Sequence, residues 1–357
     1  MRYLSDDEDL ILVSGVGVQL GDIVLKQRIE LEQLRGRVIA IDAMNSLYQF
    51  LAIIRQRGGE LLRDSKGRIT SHLSGLFYRT SNLIELGIQP VYVFDGEPPK
   101  LKRRTVEERR VMRKEAAEEW AAALEAGELE EARKFAQRAG QLTDEMISES
   151  KTLLDHMGVA WVQASSEGEA QAAHLVQRGD AWAAASQDFD SLLFGAPILI
   201  RNLAITGRRK LPGKDVFIEV TPEVIELQKL LNELQITREQ LVDIGVLIGT
   251  DYNAGIKGIG PKKALELVKK YGSIEKIMQT EIGDKFEVDP LEVREIFLKP
   301  NVTQKYKLKW REPDPGEIKE FLCEEYDFSE SRVQTGIERL LKGLREREQV
   351  KLEQWFG

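Results

Sequence analysis

Two short apolar runs, VIAI at 38–41 and VYVF at 91–94, each end on an aspartate, Asp42 and Asp95. A third, weaker run at 182–185 is followed closely by Asp188 and Asp190. Apolar, β-branched runs of this length, separated by long helical patterns, specify buried parallel strands joined by helices. In such open sheets ligands bind outside the carboxyl ends of the strands. An aspartate at a strand end is by itself an ordinary cap or turn residue. Three strand ends on one chain, joined by Glu167 and Glu169 in SSEGEA and by Asp251 in IGTDY, are harder to explain as caps. Seven carboxylates that met in one place would repel unless cations neutralised them. Hard divalent ions such as Mg²⁺ take oxygen ligands from a few carboxylates and from substrate phosphate. A pair of such ions roughly 3.5–4 Å apart stabilises both oxygens of a phosphodiester displacement.

The chain is long enough, at 357 residues, to bury a sizeable core as one large domain or two. No stretch of about 18 apolar residues offers a membrane span. The segment ILVSGVGVQL is too short, and lacks the basic flank, for a signal peptide. One cysteine, Cys323, excludes an internal disulfide and fits a reducing compartment. With only three histidines, His72, His156 and His174, a zinc site has few ligands to draw on, and these imidazoles are expected to be structural or surface groups rather than bases. The net charge of −8 argues superficially against a nucleic-acid partner, but without the seven clustered carboxylates it would be −1. Cations are also bunched. Lys100, Lys102, Arg103, Arg104, Arg109, Arg110, Arg113 and Lys114 fall within fifteen positions, and Arg208, Arg209, Lys210 and Lys214 form a second group. Such patches can grip phosphates on an acidic protein, although a charge run is also the ordinary dress of a solvated helix.

Along the chain, residues 1–15 are acidic, aperiodic and foreign to the pattern that follows. Residues 16–115 read as alternating strands and helices. Residues 115–143 are rich in Ala, Glu, Arg and Leu and read as a helical pair broken at Gly127. The α/β pattern returns from about 145 to 220, and 222–345 read as mostly helical with a turn-rich insert near 280–290. In GIKGIGPKKA, Gly258, Gly260 and Pro261 make a tight turn that opens a helix, with Pro at the first helical position. Backbone N–H groups and the helix dipole favour an anion there, and Lys262 and Lys263 add charge. The last residues carry Gln349, Leu352, Trp355 and Phe356 in the spacing Q-x-x-L-x-x-W-F. This places an apolar face and a polar anchor on about one helical turn at a terminus, where the aromatics must bury either on a partner or against the body of the same chain.

The segments AIDAMNSLYQFL, GGELLRDSKGRITSHLSGLFYRT, PVYVFDGEPPKLK, SSEGEAQAA, SQDFDSLLFG and IGTDYNAGIKGIGPKKA together resemble archaeal flap endonucleases of the Rad2/XPG-type family of structure-specific 5′ nucleases, over roughly residues 16–357. The resemblance implies an α/β fold. A mostly parallel twisted sheet would carry helices on both faces, with a helical arch over 103–140 and a helix–hairpin–helix region near 244–275. The domain plan is then an N-terminal nuclease region over 16–115, an internal region over 141–345 and a clamp-binding tail over 346–357.

It further implies cleavage of 5′ flaps at the junction of single strand and duplex in replication and repair, with 5′–3′ exonuclease activity. Two Mg²⁺, replaceable by Mn²⁺, would lie among Asp42, Asp95, Glu167, Glu169, Asp188, Asp190 and Asp251. Lys102 and Arg109, seven apart and so on nearly one helix face, correspond to the family's pair of cations aimed at the scissile phosphate. Tyr48 corresponds to a residue stacking on a base and Arg79 to one contacting the template strand. Gly258, Gly260, Lys262 and Lys263 belong to the family's duplex-holding hairpin, where potassium bridges protein and phosphate. Gln349, Leu352, Trp355 and Phe356 resemble a peptide that docks on the sliding clamp PCNA. A monomer working on flapped DNA in the cytoplasm, at the nucleoid and away from membranes, is the expected setting.

Core packing is the competing role for Tyr48, and an exonuclease or bubble nuclease, an acidic-site phosphatase and a catalytically silent clamp-bound scaffold are the competing functions. Family members usually begin Met-Gly-Val, whereas here Gly17-Val18 follows Val16. The expectation is therefore that the native chain starts at Val16.

Overall fold

The computed structural model describes residues 17–56, 60–102, 142–205, 207–210 and 217–356. The segments expected to form the N-terminal extension and the arch, and with them Arg109, lie outside these residues. Among the described residues there are nine strands: β1 (Gln27–Arg28), β2 (Val38–Asp42), β3 (Gln89–Phe94), β4 (Ala160–Gln163), β5 (Ala183–Ala185), β6 (Ile198–Arg201), β7 (Gly207–Lys210), β8 (Phe217–Val220) and β9 (Glu223–Glu226). Seven form one sheet in the order β1-β9-β6-β5-β2-β3-β4, and β7 and β8 form a separate hairpin. The four pairings linking β6, β5, β2, β3 and β4 are parallel, whereas β9 and β1 add antiparallel pairings at one side.

Alternation along each strand sends neighbouring side chains to opposite faces. Ala40, Val91, Val93, Ala184 and Leu199 enter a core covered by helices Gly168–Gln177, Arg238–Ile248 and Pro290–Leu298. Ile39, Ile41, Tyr92, Phe94 and Ala185 enter a second core beneath Ala43–Ile53, Ser71–Glu85, Asp144–His156 and Glu330–Phe356. Burial on both faces is why β2 and β3 read as continuous apolar runs.

Two stretches differ from the reading of 222–345 as mostly helical. Val224 and Ile225 are buried in the strand β9, which pairs antiparallel with β6. Residues 299–314 carry no helix; there, apolar and basic residues alternate with the two-residue period of extended chain. The chain runs from β2 to β3 and β4 on one side, then returns to β5 and β6 on the other. The sheet therefore reverses its direction of winding between β2 and β5, where a crevice opens at the carboxyl ends.

Candidate active site

All seven acidic residues lie at that crevice. Asp42 closes β2 and caps helix Ala43–Ile53, its Oδ1 accepting from the Asn45 N–H at 3.0 Å. Asp95 follows β3, and its Oδ1 accepts from the Gly168 N–H at 2.7 Å. A Cβ at position 168 would lie 2.7 Å from that same oxygen, so only glycine admits the approach. Glu167 and Glu169 sit at the amino end of helix Gly168–Gln177, just beyond β4. Asp188 and Asp190 follow β5, and Asp190 opens a single helical turn. Asp251 arrives from the loop after helix Arg238–Ile248.

Further residues tie this cluster together; of these only Gly17, the counterpart of the family's glycine after the initiating Met, is expected near the site from the resemblance. Asn45 stands across the switch point: its backbone holds Asp42, while its Nδ2 donates to Asp188 Oδ2 at 3.0 Å. The Gly17 N–H donates to Asp251 Oδ1 at 3.2 Å and the Val18 N–H to Asp190 Oδ1 at 2.7 Å. Gly17 has φ +86°, and a Cβ there would come 2.8 Å from the Asp188 Cβ. Ser191 Oγ donates to Glu169 Oε1 at 3.2 Å. Backbone amides carry no signature in a sequence, but an Asn three residues past a strand-end Asp, opening a helix, is a signal that could have been read.

The electrostatics are lopsided. Burial first, and then the charge of Asp95, push the Asp42 carboxyl up to about 7; burial and the charge of Asp251 push Asp190 up to about 7 as well. Burial followed by Asp190 raises Glu169 and Asp188 well above the ordinary carboxylate range, and burial also raises Asp95 and Glu167. Lys102 enters the cluster, its Nζ 2.5 Å from Glu167 Oε2 and 3.2 Å from Asp251 Oδ2. Those carboxylates outweigh desolvation and raise the ammonium pKa, so Lys102 stays charged. The Tyr252 phenol, buried beside Glu167 and Asp190, is held neutral.

Lys102 within the cluster, and Arg201 acting on Asp188 from its edge, do not balance seven carboxylates, which leaves an excess of negative charge in a poorly solvated crevice. This donor set, all oxygen, fits hard divalent cations. Among the described residues no three acidic groups close around a single point as a preformed cage. An open set suits ions that keep water and substrate phosphate as ligands.

The remaining expected site residues are dispersed. Tyr48 is half-buried and packs against the core under helix Ala43–Ile53. Arg79 is half-buried on helix Ser71–Glu85, where desolvation lowers its pKa. Gly258, with φ +82°, and Gly260 expose the turn before Pro261, Gly260 serving as the cap residue of helix Pro261–Tyr271. Lys263 Nζ turns back to the Gly258 carbonyl at 3.4 Å, and Lys262 Nζ is 3.8 Å from Asp22. The backbone of Gln349, Leu352, Trp355 and Phe356 continues helix Glu330–Phe356 rather than forming a separate turn; their side chains lie outside the description.

Comparison with known proteins accords with this geometry. Residues 13–116 match the XPG N-terminal domain and residues 158–251 the XPG I-region. Flap endonuclease 1 of Thermococcus onnurineus is 57% identical over 96% of this chain and 99% of its own length. Flap endonuclease 1 of Pyrococcus furiosus is 56% identical with the same coverage. The solved structure of flap endonuclease-1 from Methanococcus jannaschii superposes with a TM-score of 0.74 at 43% identity, over 93% of this chain and all of that one. The catalytic core of Rad2, solved in complex with DNA substrate, shares the fold at a TM-score of 0.67 and 24% identity, over 91% of this chain and all of that one. An acidic centre at the carboxyl ends of a mostly parallel sheet, with both XPG regions matched, defines the class as XPG-type nucleases. Within that class, the chain belongs to the flap endonuclease family.

Proposed function

We propose that this chain is a structure-specific 5′ flap endonuclease, with accompanying 5′–3′ exonuclease activity, that hydrolyses a phosphodiester at the junction of single strand and duplex during replication and repair. The observation that carries the reading is the convergence of Asp42, Asp95, Glu167, Glu169, Asp188, Asp190 and Asp251 at the sheet's switch point, with Lys102 set among Asp95, Glu167 and Asp251. Two Mg²⁺, or Mn²⁺ in their place, held by these carboxylates would supply water activation and charge neutralisation at the phosphate.

The protein's own groups do the rest. Asn45, Gly17 and Val18 fix the directions of Asp42, Asp188, Asp251 and Asp190 before substrate arrives. Lys102 presents a buried ammonium where charge develops on the scissile phosphate, and Arg109 is assigned as its partner. Tyr48 and Arg79 are assigned to the DNA near the cut, and the hairpin of Gly258, Gly260, Lys262 and Lys263 to the duplex backbone, with potassium bridging there. The segment 103–140 is assigned as the arch, and Gln349, Leu352, Trp355 and Phe356 as the segment that binds the sliding clamp. The enzyme works as a monomer at the nucleoid. Among the described residues no helix is long and apolar enough to cross a membrane.

The test is a denaturing gel of a double-flap DNA, 5′-labelled, with Mg²⁺ and with EDTA. A single cut at the junction, present with Mg²⁺ and absent with EDTA, is expected. Cleavage scattered along the duplex, or none in Mg²⁺ or Mn²⁺, would overturn the reading.

A further inference from the structure

Residues 299–311 contain Lys299, Lys305, Lys307, Lys309 and Arg311 and no acid, in a chain with 59 acidic against 51 basic residues. The pattern K-Y-K-L-K-W-R at 305–311 alternates strictly: the basic residues are exposed, while Tyr306, Leu308 and Trp310 are half-buried against the core. The segment is pinned along its length. Thr303 exchanges two hydrogen bonds with the Gln171 side chain, at 2.8 and 3.1 Å. Tyr306 donates to Asp180 at 2.6 Å, Trp310 Nε1 donates to the Pro90 carbonyl at 3.0 Å, and the Arg311 N–H donates to the Gly158 carbonyl at 2.9 Å. Two acids that touch the segment are engaged, Asp180 with Tyr306 and Arg178, and Asp155 with Arg311; the exposed Glu312 follows at the segment's end. Lys299 pairs with Glu295, but Lys305, Lys307 and Lys309 make no ion pair among the described residues.

These pins also give the location. Pro90 lies at the start of β3, Gly158 just before β4 and Asp180 just before β5. The three lysines therefore lie toward the amino end of the sheet, opposite the carboxylates. A rigid row of cations, about 6.6 Å apart at the rise of extended chain, has the form of a phosphate-tracking surface, since closely spaced phosphates reward a preorganised row of charges. A merely solubilising surface needs no such anchoring. For a member of a nuclease family the polyanion at hand is nucleic acid.

We infer that Lys305, Lys307 and Lys309 form a second duplex-binding ribbon, remote from the cleavage site, that grips the phosphate backbone without reading sequence. The choice of DNA as occupant rests on the functional reading above; the ribbon's contribution to binding is measured separately from cleavage.

The experiment saturates the full chain with unlabelled flap DNA in EDTA and titrates in a labelled blunt 20-base-pair duplex, following anisotropy across a KCl series. The wild type should bind this second duplex with a salt slope steeper by about 2.7 than that of K305Q/K307Q/K309Q, at about 0.9 per phosphate contact. K305R/K307R/K309R should keep the wild-type slope, and all three proteins should melt alike and cut a minimal flap at the same rate. An unchanged slope in the glutamine variant would overturn the ribbon. So would second-site binding of polyglutamate in place of duplex, which would assign the surface to an acidic protein. Loss of flap cleavage in the wild type would instead refute the functional reading, and leaves the duplex measurement to stand on its own.

Discussion

Replacing Asp190 by Asn should stabilise the metal-free protein while abolishing its activity. The Asp190 carboxyl is pushed from 3.8 up to about 7, first by burial and then by the charge of Asp251. A carboxyl with a raised native pKa makes the folded state bind more protons than the unfolded one, so stability falls as pH rises through the window from 3.8 to about 7. Above pH 7 the group is ionised in both states. At 1.36 kcal/mol per pKa unit, the folded protein then carries a penalty of about 4 kcal/mol. Asn removes the charge and keeps an oxygen to accept the Val18 N–H, now 2.7 Å from Asp190 Oδ1. The charge assistance in that bond already lowers the Asp190 pKa, so the shift to about 7 contains it. The net gain at pH 8 is then about 4 kcal/mol, shrinking toward zero as pH falls to 4. Urea denaturation in EDTA at pH 8 and pH 4.5 measures it. Adding Mg²⁺ at pH 8 should stabilise the wild type by mass action and the variant much less. A variant less stable than wild type in EDTA at pH 8, or a difference that ignores pH, refutes the claim that unbalanced carboxylates dominate this crevice.

Other perturbations probe its neighbours. Lys102→Met removes the cation between Glu167 and Asp251 and should lower single-turnover cleavage about 10²–10³-fold, as for the loss of one preorganised electrostatic group, with little change in duplex affinity. Gly17→Ala forces a Cβ to 2.8 Å from the Asp188 side chain in a positive-φ backbone; it should lower both melting temperature and cleavage, whereas Gly21→Ala, with open space around it, should change neither. Deleting 346–357 should leave cleavage of a minimal flap intact and abolish binding to immobilised sliding clamp, as read by surface plasmon resonance.

The parts of this fold that the sequence showed are those whose burial leaves a composition. β2 and β3 are covered on both faces and so carry the apolar runs at 38–41 and 91–94, and the aspartates that end those runs, Asp42 and Asp95, mark the site directly. β4 was missed because it is an edge strand in which only Ala160 and Val162 are buried. β9, Glu-Val-Ile-Glu, was hidden among helix formers and is fixed by its pairing with β6, a tertiary effect. Glu167 and Glu169 were recognised as acids, but their place beyond a fourth strand was not. The contacts from Gly17, Val18 and Gly168 are made by backbone amides, which any residue supplies. Only the steric demand for glycine at 17 and 168 distinguishes those positions, and that demand becomes visible once Asp188 and Asp95 are in place.

The account depends on cations seated among these carboxylates, and anomalous diffraction from crystals grown with Mn²⁺ locates them directly. Two peaks should lie within coordination distance of oxygens from Asp42, Asp95, Glu167, Glu169, Asp188, Asp190 or Asp251, and both should vanish in Asp188→Ala/Asp190→Ala crystals. A crevice without anomalous density at saturating Mn²⁺, with ions found only on the protein surface, would contradict it.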